Sequence, residues 1–504
     1  MQAAGRSHVR PRTIPFNFAL NIMGPVLPLL TALVTVPLYI SHIGAARYGI
    51  LAVVWVLLGY SGFLDFGLSR ASAIALSRLG NAGPDKRVPV LVRALYLNAV
   101  FGLVGGLLLY GAAGLLLGRF ASISADLAAE VRAALPCIAA MLPVALVSGV
   151  GSGAIESREQ FLLANVLQTI SGVLGQVAPV LCAILIGPSL VVVLTAALAT
   201  RVVSTIVVWL VVRRLERPID LRRFDRTRLR ELLGVGAWVS ISSVVSPVME
   251  SFDQMLIAAI LGPASLAHYS VPMNLATRSQ LMAGALARAL FPRLSRLGPD
   301  DARWLASRAA VTLAFGYGAA CGPAVLLAGP FLRLWVGEEF AAQATPAAQI
   351  LLIGAWANGI AFIPFGLLQG QGRPDVTAKL HMMEVLPFLL GSYGLMAATG
   401  VQGAAMAWTV RTLADCLLLL WLARCWSTYM VRAVPAVGLM AASWVLAHAM
   451  PASLPWALGV AAVIGSLFAL SGLALDPTLR AAAGRAAAVT LACVAGTGRP
   501  RWLN

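Results

Sequence analysis

Long apolar stretches follow one another along almost the whole 504-residue chain. Each is a continuous run of about 18 residues or more, enough to cross a hydrocarbon core about 30 Å thick as an α-helix. The runs lack the period-two alternation of apolar and polar residues that a transmembrane β-strand requires. We therefore predict an all-α polytopic membrane protein with about 14 transmembrane helices. About twelve is the competing count, because the last two runs are short.

The predicted helices cover residues 17–40, 49–68, 94–117, 133–154, 161–186, 189–212, 234–260, 265–290, 309–329, 346–370, 379–399, 401–423, 433–450 and 455–475. A basic stretch, 213–233, is the longest strongly charged interruption and divides them into two lobes. The N-lobe is predicted at 17–212 with helices one to six, and the C-lobe at 234–423 with helices seven to twelve. Two additional helices lie within 433–475, and the tails are 1–16 and 476–504.

The first helix of each predicted lobe ends in a similar way. Gly44 followed by Tyr48 closes the first helix, and Gly262 followed by Tyr269 closes the seventh. Six helices separate the two glycines, so the two lobes would have the same orientation in the membrane. Transporters commonly contain such repeats and bind substrate between them.

Composition and charge support a membrane protein, since 59% of residues are hydrophobic, 11% are charged and the net charge is +17. Of the 37 Lys and Arg residues, 30 lie in or beside segments that are cytoplasmic if the N-terminus is inside, four lie outside and three lie deep in helices. This asymmetry follows the positive-inside rule, so both termini are predicted to be cytoplasmic and nucleic-acid binding is not expected. The first apolar run is too long for a cleavable signal peptide and should remain as helix one.

Several short segments resemble the polysaccharide (lipid-linked oligosaccharide) flippases of the multidrug/oligosaccharidyl-lipid/polysaccharide exporter superfamily. The segments, spread over residues 17–425, are Gly44 with Tyr48-Gly49, Leu64-Asp65-Phe66-Gly67-Leu68, Asp253-Gln254-Met255-Leu256-Ile257 with Gly262 and Tyr269-Ser270, Phe291-Pro292, Trp335-Val336-Gly337-Glu338-Glu339-Phe340, and Gly400-Val401-Gln402-Gly403-Ala404-Ala405. The resemblance implies a V-shaped bundle of two six-helix lobes in a bacterial inner membrane. It also implies alternating access through a central cationic cavity, which moves an undecaprenyl-pyrophosphate-linked oligosaccharide to the periplasmic leaflet for exopolysaccharide or O-antigen synthesis. Partners would be the lipid-linked substrate, the bilayer, and a polysaccharide polymerase with export machinery.

Two arginines deep in predicted helices are the expected substrate contacts. A charge at mid-bilayer costs about 2.5–3.5 kcal/mol on insertion scales, so each needs a partner or a wet cavity. Arg201 lies midway along helix six with no acid on its own helix, and Arg278 lies near the middle of helix eight. The planar guanidinium group binds phosphate oxygens in a bidentate way and stays ionised. Packing against an interhelical partner is the alternative role for both.

Acidic residues in the C-lobe are the expected sites for coupling to H⁺ or Na⁺, between which the sequence does not decide. Glu250 and Asp253 lie in the central to outer part of helix seven, where either can pair with Arg278. Transport without an ion gradient, driven by later consumption of the sugar, is also allowed.

A second set of charges is interpreted as a cytoplasmic gate or as residues that extend to the membrane surface. It consists of Asp65 and Arg70 near the end of helix two, Glu384 at the start of helix eleven, and Arg411 and Asp415 on helix twelve. The spacing of Arg411 and Asp415 by four residues lets them neutralise each other on one helical face.

Other function classes lack their sequence signals. The chain has no GxxxxGK[ST] loop, so we expect no ATP hydrolysis, and the five histidines and six cysteines have no metal-ligand spacing. We expect no enzyme activity, cofactor or metal. A multidrug or cation antiporter of the same superfamily is the main alternative, although its cavity should be more acidic than cationic. A membrane-embedded polymerase or glycosyltransferase is a third class, disfavoured because the predicted outer loops are short.

Overall fold

The computed structural model describes residues 14–59, 68–79, 82–116, 124–216, 252–449, 453–481 and 483–484. Within these residues the regular structure is entirely helical. The chain divides into two compact units, residues 1–251 and 252–504. Eleven of the described segments are long and apolar enough to cross a membrane.

Unit 1 contains six described helices: α1 Ile14–Gly59, α2 Leu68–Leu79, α3 Pro84–Leu116, α4 Ala125–Glu156, α5 Phe161–Leu185 and α6 Leu190–Leu215. Helix α4 packs between α3 and α6, while α5 packs against α1 and α6. The faces of α3 and α5 that point away from these contacts carry exposed large apolar residues, including Leu107, Leu108 and Leu185. Such faces are suited to lipid rather than water.

Helix α1 contains the first predicted span and residues 49–59 of the second. Gly44 interrupts it with φ 80° and ψ 160°, a conformation open to glycine but strained for residues with a side chain. Gly262 in unit 2 has nearly the same conformation, with φ 90° and ψ 170°, at the start of the next helix. The two glycines singled out in the sequence therefore make the same kind of turn. Helix α2 was not predicted, because it is short and amphipathic rather than continuously apolar.

Unit 2 begins with a helical segment at 252–260 and continues with α7 Pro263–Ser279, α8 Leu281–Arg296, α9 Pro299–Gly316, α10 Gly318–Val336, α11 Glu338–Gly370, α12 Pro374–Thr399, α13 Val401–Leu422, the 3₁₀ helix Thr428–Ala433, α14 Val434–Ala449 and α15 Leu454–Leu475. Helix α11 is central, since it packs against α7, α8, α9, α10 and α13. Its contacts include polar ones: Trp356 donates to the carbonyl of Ala314 at 3.0 Å, and Thr409 donates to that of Ile350 at 2.9 Å.

Two predicted spans in unit 2 are each split into two helices. The eighth breaks at Gln280 between α7 and α8, and the ninth ends α9 and begins α10 around Tyr317. The Ser279 and Tyr317 hydroxyls hydrogen-bond at 2.5 Å, and Asn358 of α11 donates to Gln280 at 3.2 Å. Polar groups therefore meet at the broken ends, where they satisfy backbone and side-chain atoms inside an apolar bundle.

The last two predicted helices are present as α14 and α15, and both pack against α10. The fully buried ring of Phe468 lies against Gly318 and Gly322 of α10. At the end of α15, buried Asp476 accepts hydrogen bonds from Thr312 of α9 at 2.5 Å and from Tyr429 at 3.1 Å. The additional helices are thus an integral part of unit 2.

Candidate functional site

Arg201 is the twelfth residue of α6, about 16 Å from the start of the helix at 1.5 Å per residue. At helical spacing it is followed by Thr205, Val208 and Val212, which are all buried within unit 1. The exposed side of α6 is formed instead by apolar residues, Val203, Ile206 and Leu210. Arg201 therefore lies on the inward side of α6 and not on its lipid-facing side.

The guanidinium of Arg201 has no hydrogen bond or ion pair with any group in the described part of the chain. Its side chain is half-buried. An arginine that is neither paired nor directed to lipid keeps its five N–H donors available for an incoming anion. This is the arrangement expected of an anion contact.

Arg278 is the penultimate residue of α7, one turn after the exposed Asn274 and next to the break at Gln280. Its side chain is half-buried. Because the predicted span is broken here, Arg278 is found at a helix end beside polar side chains rather than within a continuous helix. Asp253, expected as one of its partners, is engaged elsewhere.

Asp253 is fully buried and is bound by Tyr269, whose hydroxyl donates to one carboxylate oxygen. The other oxygen accepts the backbone N–H of Gln254 at 2.8 Å. Arg411 acts on this carboxylate electrostatically from α13. Asp253 is therefore held by Tyr269 and Gln254, its pairing with Arg278 stays a prediction, and Glu250 lies outside the described residues.

Glu384, Arg411 and Asp415 lie together in unit 2, joined by His381, which was not predicted. His381 Nε2 is 3.6 Å from Asp415 Oδ1, and Arg411 acts electrostatically on both Glu384 and His381. The Arg411 guanidinium carbon lies 5.2 Å from the centre of the Phe388 ring. A direct ion pair between Arg411 and Asp415, suggested by their spacing, is absent from the ion pairs of the described residues.

Glu384 was expected at the start of a helix, but α12 begins at Pro374, ten residues earlier. It therefore lies about 15 Å from the start of the helix. The other two expected gate residues give no further test. Asp65 lies outside the described residues, and the Arg70 side chain does so too, although its backbone is part of α2.

The structure contains a buried charge network that was not predicted from the sequence. Arg87 was expected there only as one of the basic residues that set the topology. Arg87 is fully buried and donates to Glu216 Oε1 from Nε at 2.9 Å and from Nη2 at 2.7 Å. Arg158 adds bonds of 2.8 Å to each carboxylate oxygen of Glu216. Although burial alone would raise it, these bonds hold the pKa of the Glu216 carboxyl below its ordinary value. The network joins the ends of α3, α4 and α6, and no sequence signal pairs residues so far apart.

A smaller network lies at the opposite ends of α4 and α6. Arg47, just after the turn at Gly44, pairs with Glu130 of α4, and Glu130 also accepts the backbone N–H of Leu190 at 3.2 Å. Both ends of unit 1 are therefore fastened by ion pairs, while Arg201 between them has no partner among the described residues.

The fold is that of a multi-span helical transporter. Over 93% of this chain and all of the other, it superposes on a structure titled "Lipid II flippase MurJ, inward closed conformation" with a TM-score of 0.74 and 12% sequence identity. A second solved structure, an inward-facing multidrug resistance MATE family transporter of the MOP superfamily, gives a TM-score of 0.63 at 17% identity, covering 83% of this chain and 99% of that one.

The sequence assigns the family. Residues 16–298, more than half of the chain, match the polysaccharide biosynthesis protein family, and the chain belongs to it. A Shigella flexneri relative named "Putative O-antigen transporter" is 28% identical over 81% of this chain and 96% of its own length. A Bacillus subtilis relative, "Uncharacterized membrane protein EpsK", is 22% identical over 77% of each chain. The resemblance to polysaccharide flippases is confirmed, as is the all-α polytopic membrane fold.

Proposed function

We propose that this protein is a flippase for a polysaccharide precursor. It moves an undecaprenyl-pyrophosphate-linked oligosaccharide from the cytoplasmic to the periplasmic leaflet of a bacterial inner membrane, by alternating access through a cationic cavity. The product serves exopolysaccharide or O-antigen synthesis, in cooperation with a polymerase and export machinery. The family, the O-antigen transporter relative and the likeness to a lipid II flippase support this proposal.

The observation that carries the proposal is the unpaired Arg201 on the inward side of α6. Removing an unpaired charge from water costs free energy. An anion that binds to Arg201 offsets a large part of that cost, because it supplies the counter-ion. A pyrophosphate carries several oxygens that match the guanidinium fork, and charge-assisted bonds of this type are the strong ones. Arg278 is proposed as a second contact, beside the polar break at Gln280.

Export in a deletion strain tests this role. Because lost phosphate contacts of about 1.5–3 kcal/mol correspond to roughly tenfold or more in rate, Arg201→Ala should export at most about a tenth of the polymer and accumulate lipid-linked sugar in the cell. Arg201→Lys should recover part of the export, because it keeps the charge without the fork. Arg278→Ala should also reduce export without lowering the amount of protein in the membrane.

Arg214→Ala is the matched control, since Arg214 is exposed at the end of the same helix. Normal export by Arg201→Ala, at wild-type abundance, would remove Arg201 from the substrate path. Equal losses in Arg201→Ala and Arg214→Ala would show that only helix insertion had been disturbed.

A multidrug or cation antiporter is the second candidate, favoured by one observation. Unit 2 buries three carboxylates, Asp253, Glu384 and Asp415, in the same region as Arg411. An acidic interior suits a cationic substrate. Purified protein that transports cationic dyes but leaves the lipid-linked sugar in its original leaflet would establish this reading instead.

A further inference from the structure

The carboxylates Glu384 of α12 and Asp415 of α13 are the least satisfied buried groups in unit 2. Both carboxylate oxygens of Glu384 are buried without a hydrogen-bond partner, and so is Oδ1 of Asp415. Asp415 as a whole is 5% exposed. Buried polar atoms are nearly always hydrogen-bonded, so two neighbouring carboxyl groups with three unpartnered oxygens need an explanation.

One proton bound between the two carboxyl groups explains the unpartnered oxygens. His381 and Glu384 lie three residues apart on one side of α12, and His381 is 3.6 Å from Asp415, so Glu384 faces the same carboxyl group of α13. When both are ionised, each offers only acceptors, so neither can donate a hydrogen bond to the other. A proton on one group turns it into a donor, fills one lone pair of the other, and removes one of two like charges from a site of low dielectric constant.

The surrounding charges also favour protonation. Among the described residues, Arg411 is the arginine that acts electrostatically on Glu384, and its Nε is buried there without a hydrogen-bond partner. Its charge acts on Asp253 as well, so the two carboxyl groups share this cation. Asp253 accepts hydrogen bonds from Tyr269 and from the backbone amide of Gln254. The carboxylate oxygens without a hydrogen-bond donor are therefore those of Glu384 and Asp415.

The remaining neighbours complete the site. His381, one turn before Glu384, lies 3.6 Å from Asp415 and is covered by the Phe365 ring of α11, stacked at 6.0 Å. Cys416 of α13 interacts electrostatically with Asp415. In the described part of the chain, no group of three or more His, Cys, Asp and Glu residues is arranged to hold a metal ion.

We propose that Glu384 and Asp415 form a proton-binding site that holds one proton between the two carboxyl groups. On release, the proton leaves the pair through the His381 imidazole or directly to water, and both carboxyl groups become carboxylates. Arg411, with a free Nε donor, then turns toward them and leaves the Phe388 ring. Movement of Arg411 between α12 and α13 links the protonation state of the site to the packing of these helices.

Infrared difference spectroscopy on full-length protein in lipid vesicles tests the site without any substrate. Between acidic and alkaline buffer, the wild type should lose the C=O stretch of one buried carboxylic acid. Glu384→Gln and Asp415→Asn should each remove this band from the difference spectrum, and Glu384→Asp should retain it at a shifted pH. Asp375→Asn, an exposed carboxylate on the same helix, should leave it unchanged.

A band that persists in both Glu384→Gln and Asp415→Asn would overturn the proposal. Loss of the band on replacing choline with Na⁺ at constant pH and ionic strength would also overturn it, in favour of a cation site. A single symmetric peak in size-exclusion chromatography shows that a variant has folded. If the amide variants do not fold, Glu384→Asp is used in their place.

The role of the site in transport rests on the proposed function and is tested separately. In vesicles with opposite pH gradients, wild-type movement of a labelled lipid-linked sugar should differ several-fold, and that of Glu384→Gln should not. If the wild type moves no sugar at all, the proposed function fails while the infrared result stands. If sugar moves equally fast in both gradients, the coupling role fails while the flippase stands.

Discussion

Glu216 in unit 1 and Glu384 in unit 2 are both buried carboxylates near arginine, but their surroundings differ. Glu216 receives five hydrogen bonds from two guanidinium groups, Arg87 and Arg158. Glu384 receives none from the described residues, and the arginine that acts on it, Arg411, also acts on Asp253. A carboxylate whose charge is fully matched holds helices in place at any ordinary pH. One whose charge is not matched must exchange a proton or change its partners, which is what a moving part requires.

The largest effect should follow from removing the matched carboxylate. Glu216→Ala leaves Arg87 fully buried without its counter-ion, which typically costs about 3–5 kcal/mol. We expect a much lower unfolding midpoint for the detergent-solubilised protein in thermal gel filtration. Asp300→Ala, which breaks an exposed pair with Arg303, should leave the midpoint unchanged. Similar midpoints for both variants would show that the network does not fasten unit 1.

A smaller loss is expected at Asp476, which ties α15 to α9 and to the 3₁₀ helix. Because its neighbours hold the pKa of the Asp476 carboxyl below its ordinary value, despite burial, it binds them as a carboxylate. Asp476→Asn should lower the free energy of unfolding by about 1–3 kcal/mol. The amide nitrogen replaces a carboxylate oxygen that accepts a hydrogen bond, and it cannot accept one itself. Hydrogen–deuterium exchange of the backbone amides of α15 should become faster. Unchanged exchange would mean that packing of Phe468 alone holds the last two helices.

The Glu216 network should lose its stabilising effect only at pH values below the ordinary carboxyl pKa. Because the folded-state pKa of Glu216 is lowered, its contribution is complete above the ordinary carboxyl value of 4.5 and is lost as pH falls through the lower folded value. The difference in midpoint between wild type and Glu216→Gln should therefore be constant near neutral pH and shrink below about pH 4.3. A difference that already shrinks near pH 6 would contradict the assignment of a lowered pKa.

The smallest change in stability is expected for Glu384→Gln, since the side-chain amide can still donate a hydrogen bond to Asp415, as the protonated carboxyl group does. We expect a shift within about 1 kcal/mol at neutral pH, measured in the same thermal assay. A loss as large as that of Glu216→Ala would show that Glu384 is a fastening group and would remove the contrast between the two sites.

The hydrophobic runs were enough to predict the helices, because membrane thickness and backbone hydrogen bonding leave few other solutions. The breaks at Gln280 and Tyr317 were not predictable, since they depend on tertiary bonds to Ser279 and Asn358 rather than on local sequence. Among the site residues, Arg201 stood out because a lone charge in an apolar run is visible in the sequence. Its orientation within unit 1 and its lack of a partner among the described residues were not visible in the sequence.

Pairing between distant charges was the least predictable feature. Arg87 and Glu216 are 129 residues apart, and their helices meet only through the packing of α4 against α3 and α6. His381 was overlooked because a single histidine on a helix has no signal of its own. Its significance comes from Asp415 on the neighbouring helix, 3.6 Å away.

Direct measurement of flipping in vesicles is the decisive experiment. Purified protein is reconstituted with a fluorescent polyprenyl-pyrophosphate oligosaccharide, and the outer leaflet is then bleached with a membrane-impermeant reductant. Wild-type protein should make nearly all of the probe accessible, while Arg201→Ala should slow this by about tenfold or more. Bleaching that stops at the outer leaflet, as in protein-free vesicles, would show that this protein does not move lipid-linked sugars.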